Sequence, residues 1–283
     1  MPALWDVPAP AKLNLFLHVI GRRTDGYHLL QSVFMLIDWC DALHFESTAS
    51  GQITREDLTV PLPADDLTVR AARALQAATG CTQGARIGLV KRIPAQAGLG
   101  GGSSDAATAL QALNRLWRLR LTTDQLAHIG LALGADVPFF VRGCNAWIEG
   151  VGERIRPIDL PAAHFLVAKP PQGLDTAAIF RAPTLARNTN PATIVDFAAD
   201  PYGFGRNDLQ PVAQALCPGV VQGLNWLAQQ GLTGRMTGSG SAVFARVTQA
   251  ETPAPHAPDQ NWQVRFCGNL PTHPLYGWAA IDD

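Results

Sequence analysis

Four glycines in five positions, Gly98, Gly100, Gly101 and Gly102, stand between an apolar run from Ile87 to Val90 and a segment of helical periodicity. A chain that passes from strand to helix through such a loop can take positive φ and bring several backbone N–H groups close to one ligand. Ser103 or Ser104 is expected to cap the helix that follows, whose unpaired first-turn N–H groups and dipole favour negative charge. Ala106, Ala109, Leu110, Leu113 and Trp117 recur at helical spacing, with the small residues first, where a helix start packs close against a sheet. The natural guest of this arrangement is a polyphosphate.

Several phosphate loops are excluded by their own requirements. A Walker loop needs Lys and then Ser or Thr after its last glycine, whereas Gly102 is followed by Ser103 and Ser104. A dinucleotide fingerprint counted from Gly98 needs Gly or Ala at its sixth position, which is Ser103. Neither a protein-kinase catalytic loop nor an Asp-Phe-Gly triplet is present. The loop belongs to another class.

Composition narrows the field further. With 283 residues, 47% hydrophobic and 16% charged, the chain is long enough for two packed units, and its net charge of −1 gives no support to nucleic-acid or membrane-surface binding. Five scattered cysteines without a CxxC pair read as reduced thiols, and seven histidines without a metal-binding spacing leave no metal site of the protein's own. The first apolar stretch, Leu13 to Ile20, is broken by Asn14 and His18, and Arg22 and Arg23 follow rather than precede it, so no targeting segment is expected and the location is read as cytoplasmic.

Along the chain, Ala11 to Ile20 alternates as a half-buried strand with Lys12 and Asn14 on its polar face, and Asp25-Gly26 turns it back into a second strand, Tyr27 to Leu36. Short strands are expected at Ala42 to Glu46 and Gly51 to Thr54, a capped helix from Asp65 to Gly80, a strand from Ala85 to Val90, and a helix from Thr122 or Thr123 to Gly134. Asp136 then enters the apolar run Val137 to Val141, where a carboxylate needs a cation or donor, and Lys12 is the candidate. A hairpin from Ala146 to Pro157 closes the first unit, 1–157, and leaves 158–283 as the second. That second unit is expected to hold strands at Phe165 to Ala168, after Arg235 and from Trp262 to Cys267. Its helices begin at Asp175 or Thr176 and around Ala192, Pro211 and Val220, and Thr252 to Pro258 forms a surface loop.

Three separated motifs, Ala9 to Leu15, the run from Pro94 through Gly98-Leu99-Gly100 to Ser104, and Thr237 to Ser241, closely resemble in order those of the GHMP small-molecule kinases. Arg22 to His28 further resembles the branch of that family whose acceptor is a cytidine-diphosphate-linked methylerythritol. The resemblance implies an α+β, two-domain fold: an N-terminal domain like ribosomal protein S5 domain 2, a ferredoxin-like C-terminal domain, and the site in the cleft between them. It implies Lys12 and Asp136 as the catalytic pair, Asn14 and Thr176 at the polyol, Tyr27 and Phe180 sandwiching the cytosine, and His28 bonding its edge. ATP would be held by Pro94, Gly98, Leu99, Gly100, Gly101, Gly102, Ser103 and Ser104. Gly238, Ser239 and Gly240 would close over it, with Lys91, Asp66 and Leu67 near the adenosine, although Asn is more usual at position 66. Magnesium is expected with ATP rather than on ligands of the chain. A homoserine- or mevalonate-type kinase and a non-catalytic nucleotide-binding regulator are the alternatives, and the implied state is a monomer or weak homodimer acting on small molecules.

Overall fold

The spine of the molecule is a pair of long antiparallel strands, β1 (Ala3–Arg22) and β2 (His28–Thr48), joined at the Asp25-Gly26 turn. A computed structural model describes residues 2–248 and 257–279. Both strands outrun the sequence expectation. Pro8 and Pro10 hide the first half of β1, yet among the described residues β2 is the strand paired with this stretch, so their missing N–H groups cost no ladder bond on the other edge. The expected piece from Ala42 to Glu46 is the far end of β2, where it pairs with a different neighbour than near the turn.

β3 (Ile53–Asp57), β4 (Gly84–Val90), β5 (Ala146–Gly150) and β6 (Arg154–Pro157) complete a six-stranded sheet ordered β3-β4-β2-β5-β6, with β1 on β2. Only the β3–β4 pairing is parallel. Helices α1 (Leu67–Thr79), α2 (Gly101–Leu116), α3 (Thr123–Leu131) and α4 (Val137–Arg142) contribute to its main core, where Leu110 and Leu113 meet Leu36, Phe45 and Phe139. Asp66 caps α1 by accepting from Val69 N at 3.1 Å, and Gly80 ends it in the left-handed region. Thr122 and Gln125 form a capping box on α3.

The second sheet, ordered β10-β7-β9-β8, is built from β7 (His164–Lys169), β8 (Arg235–Met236), β9 (Val243–Val247) and β10 (Gln263–Gly268), all antiparallel. With it go α5 (Thr176–Arg181), α6 (Ile194–Ala199), α7 (Gln210–Leu216) and α8 (Pro218–Gln229). Of the expected loop from Thr252 to Pro258, residues 252–256 lie outside the described residues. Among the described residues, no helix is long and apolar enough to cross a membrane.

Two features place the site. β1 is buried on both faces from Ala11 to Val19, so the expectation of a half-solvated strand is corrected: Lys12 is 4% and Asn14 1% exposed. The helix cap is also corrected. α2 starts after Gly100, which sits in the left-handed region with φ 73° and has no side chain to cap with, and Ser103 and Ser104 fall inside the first turn.

Candidate active site

The glycine loop lies against β1 because one backbone bond ties them: Lys12 N donates to Leu99 O at 2.9 Å. The glycines are required by contact. A Cβ on Gly98 would stand 2.2 Å from Thr237 O, and one on Gly100 would stand 2.9 Å from the Phe140 ring and 3.2 Å from Lys12 Cγ. The loop is thus clasped between the Thr237 turn on one side and the lysine stem on the other.

Lys12 reaches from β1 across this contact. Its ammonium donates to Asn14 Oδ1 at 2.5 Å, lies 3.4 Å from Asp136 Oδ2, and sits 4.3 Å from the centroid of the Phe34 ring. Asn14 is oriented in turn: its Nδ2 donates to Ser32 Oγ at 3.0 Å, and its backbone N donates to Thr237 Oγ1 at 2.9 Å. Asp136 stands at the N-cap position of α4 but makes no side-chain cap bond, and its side chain is 31% exposed. A carboxylate there ordinarily accepts from the helix's own N–H groups. Here it faces Lys12 and the cleft instead.

That cleft, about 770 Å³, is lined by the loop, by Lys12, Asn14 and Asp136, and by Thr176, Phe180 and Gly238 to Gly240 from the second half of the chain. Thr176 Oγ1 and Ser239 Oγ lie 2.6 Å apart, so two expected site residues share one hydrogen bond. Leu67 lies 3.6 Å from a Cβ built on Gly102. Asp66 is committed to capping α1 and to an ion pair with Arg55, and its carboxylate has no amide N–H to donate.

Lys91 lines the cleft, and its ammonium bonds Asp41 and lies 2.6 Å from Asp105 Oδ2. Asp41 Oδ1 also accepts from the backbone N of Ile93 at 2.8 Å, which pins the start of the loop. Burial drives the Asp105 carboxyl well above the usual carboxylate range, against the pull of Lys91 and with the push of Asp41. Sequence reasoning missed this trio. Its signal was present, since Asp41 and Lys91 are charges of opposite sign inside or just beyond apolar strand runs.

Aromatic residues also meet near the base of the β1–β2 turn. His28 and Phe180 stack with centroids 5.0 Å apart at 30°, and Tyr27 is 64% exposed. Arg187, unsuspected from sequence, donates from Nε to His28 Nε2 at 2.9 Å.

Known proteins share the sequence and fold that carry this cleft. The model of the GHMP kinases N terminal domain matches residues 66–144, and that of the GHMP kinases C terminal matches residues 194–254. A 4-diphosphocytidyl-2-C-methyl-D-erythritol kinase of Acidovorax sp. (strain JS42) is 65% identical over 99% of both chains. One from Variovorax paradoxus (strain S110) is 62% identical over 99% of this chain and all of its own length. A crystal structure of 4-(cytidine 5'-diphospho)-2C-methyl-D-erythritol kinase superposes with a TM-score of 0.76 at 34% identity, covering 94% of this chain and 99% of that one. A mevalonate kinase structure shares the fold, with a TM-score of 0.67 at 14% identity over 95% of this chain and 99% of that one. Identity at this level, sustained over whole chains and accompanied by both domain models, means that this protein belongs to the 4-diphosphocytidyl-2-C-methyl-D-erythritol kinase family of the GHMP kinases.

Proposed function

We propose that the chain transfers the γ-phosphoryl group of ATP to the 2-hydroxyl of 4-diphosphocytidyl-2-C-methyl-D-erythritol, a step of the non-mevalonate isoprenoid pathway. The observation that carries this reading is the meeting of Lys12 and Asp136, 3.4 Å apart, beside a glycine loop bonded to Lys12's own backbone. Asp136 orients the hydroxyl and takes its proton as the oxygen forms the new bond to phosphorus. The bond from that phosphorus to the β-phosphate oxygen breaks, leaving ADP and the 2-phosphate. Lys12, aimed by Asn14, keeps the carboxylate ionised and offsets charge on the transferred group.

Pro94 to Ser103, which line the cleft, wrap the triphosphate with Ser104 at their end, and the Gly238-Ser239-Gly240 turn closes over it, with Leu67 and Lys91 toward the adenosine. Asn14 and Thr176 position the polyol. Phe180 and His28, with Tyr27, receive the cytosine, where stacking contributes on the order of 1–3 kcal/mol per base. Magnesium fits as a companion of ATP. Among the described residues no group of three His, Cys, Asp or Glu is placed to hold a metal, whereas the Ser104 hydroxyl is buried without a partner. Ser103 or Ser104 would supply one oxygen and phosphate and water the others, and such an ion would neutralise phosphate charge. Five unpaired cysteines suit a reducing cytoplasm.

Two measurements test the reading. Turnover with the cytidyl alcohol is expected to exceed that with homoserine or mevalonate by orders of magnitude. Asp136→Asn is expected to lower kcat by about 100-fold or more while ATP still binds; loss of ATP binding in parallel with turnover would make Asp136 a structural residue.

A further inference from the structure

Arg187 makes four hydrogen bonds, and they have one consequence for the base subsite. Its Nη1 donates to Leu185 O at 3.0 Å, and its Nη2 to Phe180 O at 3.1 Å and Ala182 O at 2.8 Å. Those carbonyls belong to the last turn of α5 and the segment beyond it, so the guanidinium plane is fixed. Its Nε donates to His28 Nε2 at 2.9 Å. A guanidinium has five N–H donors, no acceptor, and no accessible neutral form. The Nε2 of His28 must therefore carry a lone pair, which puts the single proton of a neutral ring on Nδ1.

The neutral form is favoured at this place. Burial, then the charges of Arg187 and Arg22, lower the proton affinity of His28 below its ordinary value. Stacking on Phe180 at 30° fixes the ring plane as well. Among the described residues, no protein group bonds Nδ1, so this ring offers one oriented donor whose natural partner is an acceptor on the ligand. Phe180 itself lines the cleft.

The pyrimidines differ at that point. Cytosine carries an unprotonated N3 on its pairing edge, and uracil carries N3–H. Resting on the reading of a pyrimidine at His28 and Phe180, we propose that Arg187 is a positioning residue that holds His28 as the Nδ1–H tautomer and so selects cytosine over uracil. Against uracil two donors face each other, and a buried donor without an acceptor is costly.

Imidazole 15N NMR of the full chain, with the His28 signals assigned by their loss in His28→Gln, is expected to show Nδ1 protonated and Nε2 unprotonated. A proton on Nε2 overturns the proposal. In kinetics, the ratio of kcat/KM for the cytidyl alcohol to that for its uridyl counterpart is expected to fall about tenfold or more in Arg187→Met, with the loss in the KM of the alcohol rather than of ATP. Equal losses for both bases would make Arg187 only a brace for α5. Where Arg187→Met does not fold, the NMR measurement and the binding of cytidine against uridine 5'-diphosphate to the unaltered protein decide, and equal affinities defeat the proposal. A protein that binds cytidine diphosphate selectively yet turns over neither alcohol would overturn the proposed reaction and leave this inference standing.

Discussion

Beneath the glycine loop three charged side chains meet, Lys91 with Asp41 and Asp105, the two carboxylates at 0% and 1% exposure. One ammonium between two carboxylates leaves one negative charge in excess, and removal of charge from water is costly unless it is neutralised. The chain meets this through Asp105, whose carboxyl burial pushes up to about 8. A raised carboxyl binds its proton more tightly in the folded than in the unfolded state. Its contribution is therefore present at acid pH, falls as pH rises through the window between the ordinary carboxylate range and about 8, and is gone above it. Lys91 is shifted upward too, so the stability it lends is lost only above its ordinary value, outside that window. Asp105→Asn keeps the shape of the protonated acid and a donor toward Asp41. The variant is expected to match the parent at about pH 4 or below and to gain by roughly 1–3 kcal/mol near pH 8, read as a diverging pair of Tm curves. Parallel curves would show that Asp105 stays ionised throughout.

At the scale of elements, the loop and the helix behind it hold two glycines of different kinds. Gly98 has φ 73° and a backbone oxygen 2.2 Å from any Cβ, so Gly98→Ala must push the Thr237 turn off the loop; a loss of about 2 kcal/mol or more and a raised KM for ATP are expected. Gly102 lies inside α2 with its nearest neighbour 3.6 Å away, and Gly102→Ala is expected to be neutral or to stabilise by up to about 1 kcal/mol in the absence of nucleotide. Thermal melts of both variants check the contrast, and equal destabilisation would refute it. Much of this element was legible in the residues: α1 carries both its caps in sequence, and the glycines foretold a tight turn from strand into helix. The burial of Lys12 and Asn14 was not legible, because alternation along β1 marks a polar face without saying what covers it. The cover comes from the Leu99 loop and the Thr237 turn, which are distant in the chain. Arg187 escaped for the same reason, since its partner is the histidine at the β1–β2 turn.

On the scale of the molecule, the division at 157/158 that we propose follows the two sheets, but the packing crosses it. Leu13, Phe16 and Met35 share one core with Phe165, Val167 and Phe244. The free edge of β1 is taken by the second half, where Leu17 N donates to Arg206 O at 2.9 Å and Asp208 N to Leu17 O at 2.8 Å. Beyond β10 the chain returns to the first half. Leu270 N donates to Leu36 O at 2.9 Å, His273 N to Gly143 O at 2.8 Å at the end of the helix that begins beside Asp136, and Leu275 is 1% exposed in the core of the first sheet. Neither half keeps its buried polar groups paired without the other, so unfolding one exposes the other. The full chain is accordingly expected to melt in a single calorimetric transition. Leu275→Ala, which empties a buried site at a cost of about 2–5 kcal/mol, should lower that transition as a whole. Two resolved transitions, or a variant in which only one part melts earlier, would mean that the halves fold separately and that the cleft is held by contacts weaker than this shared core.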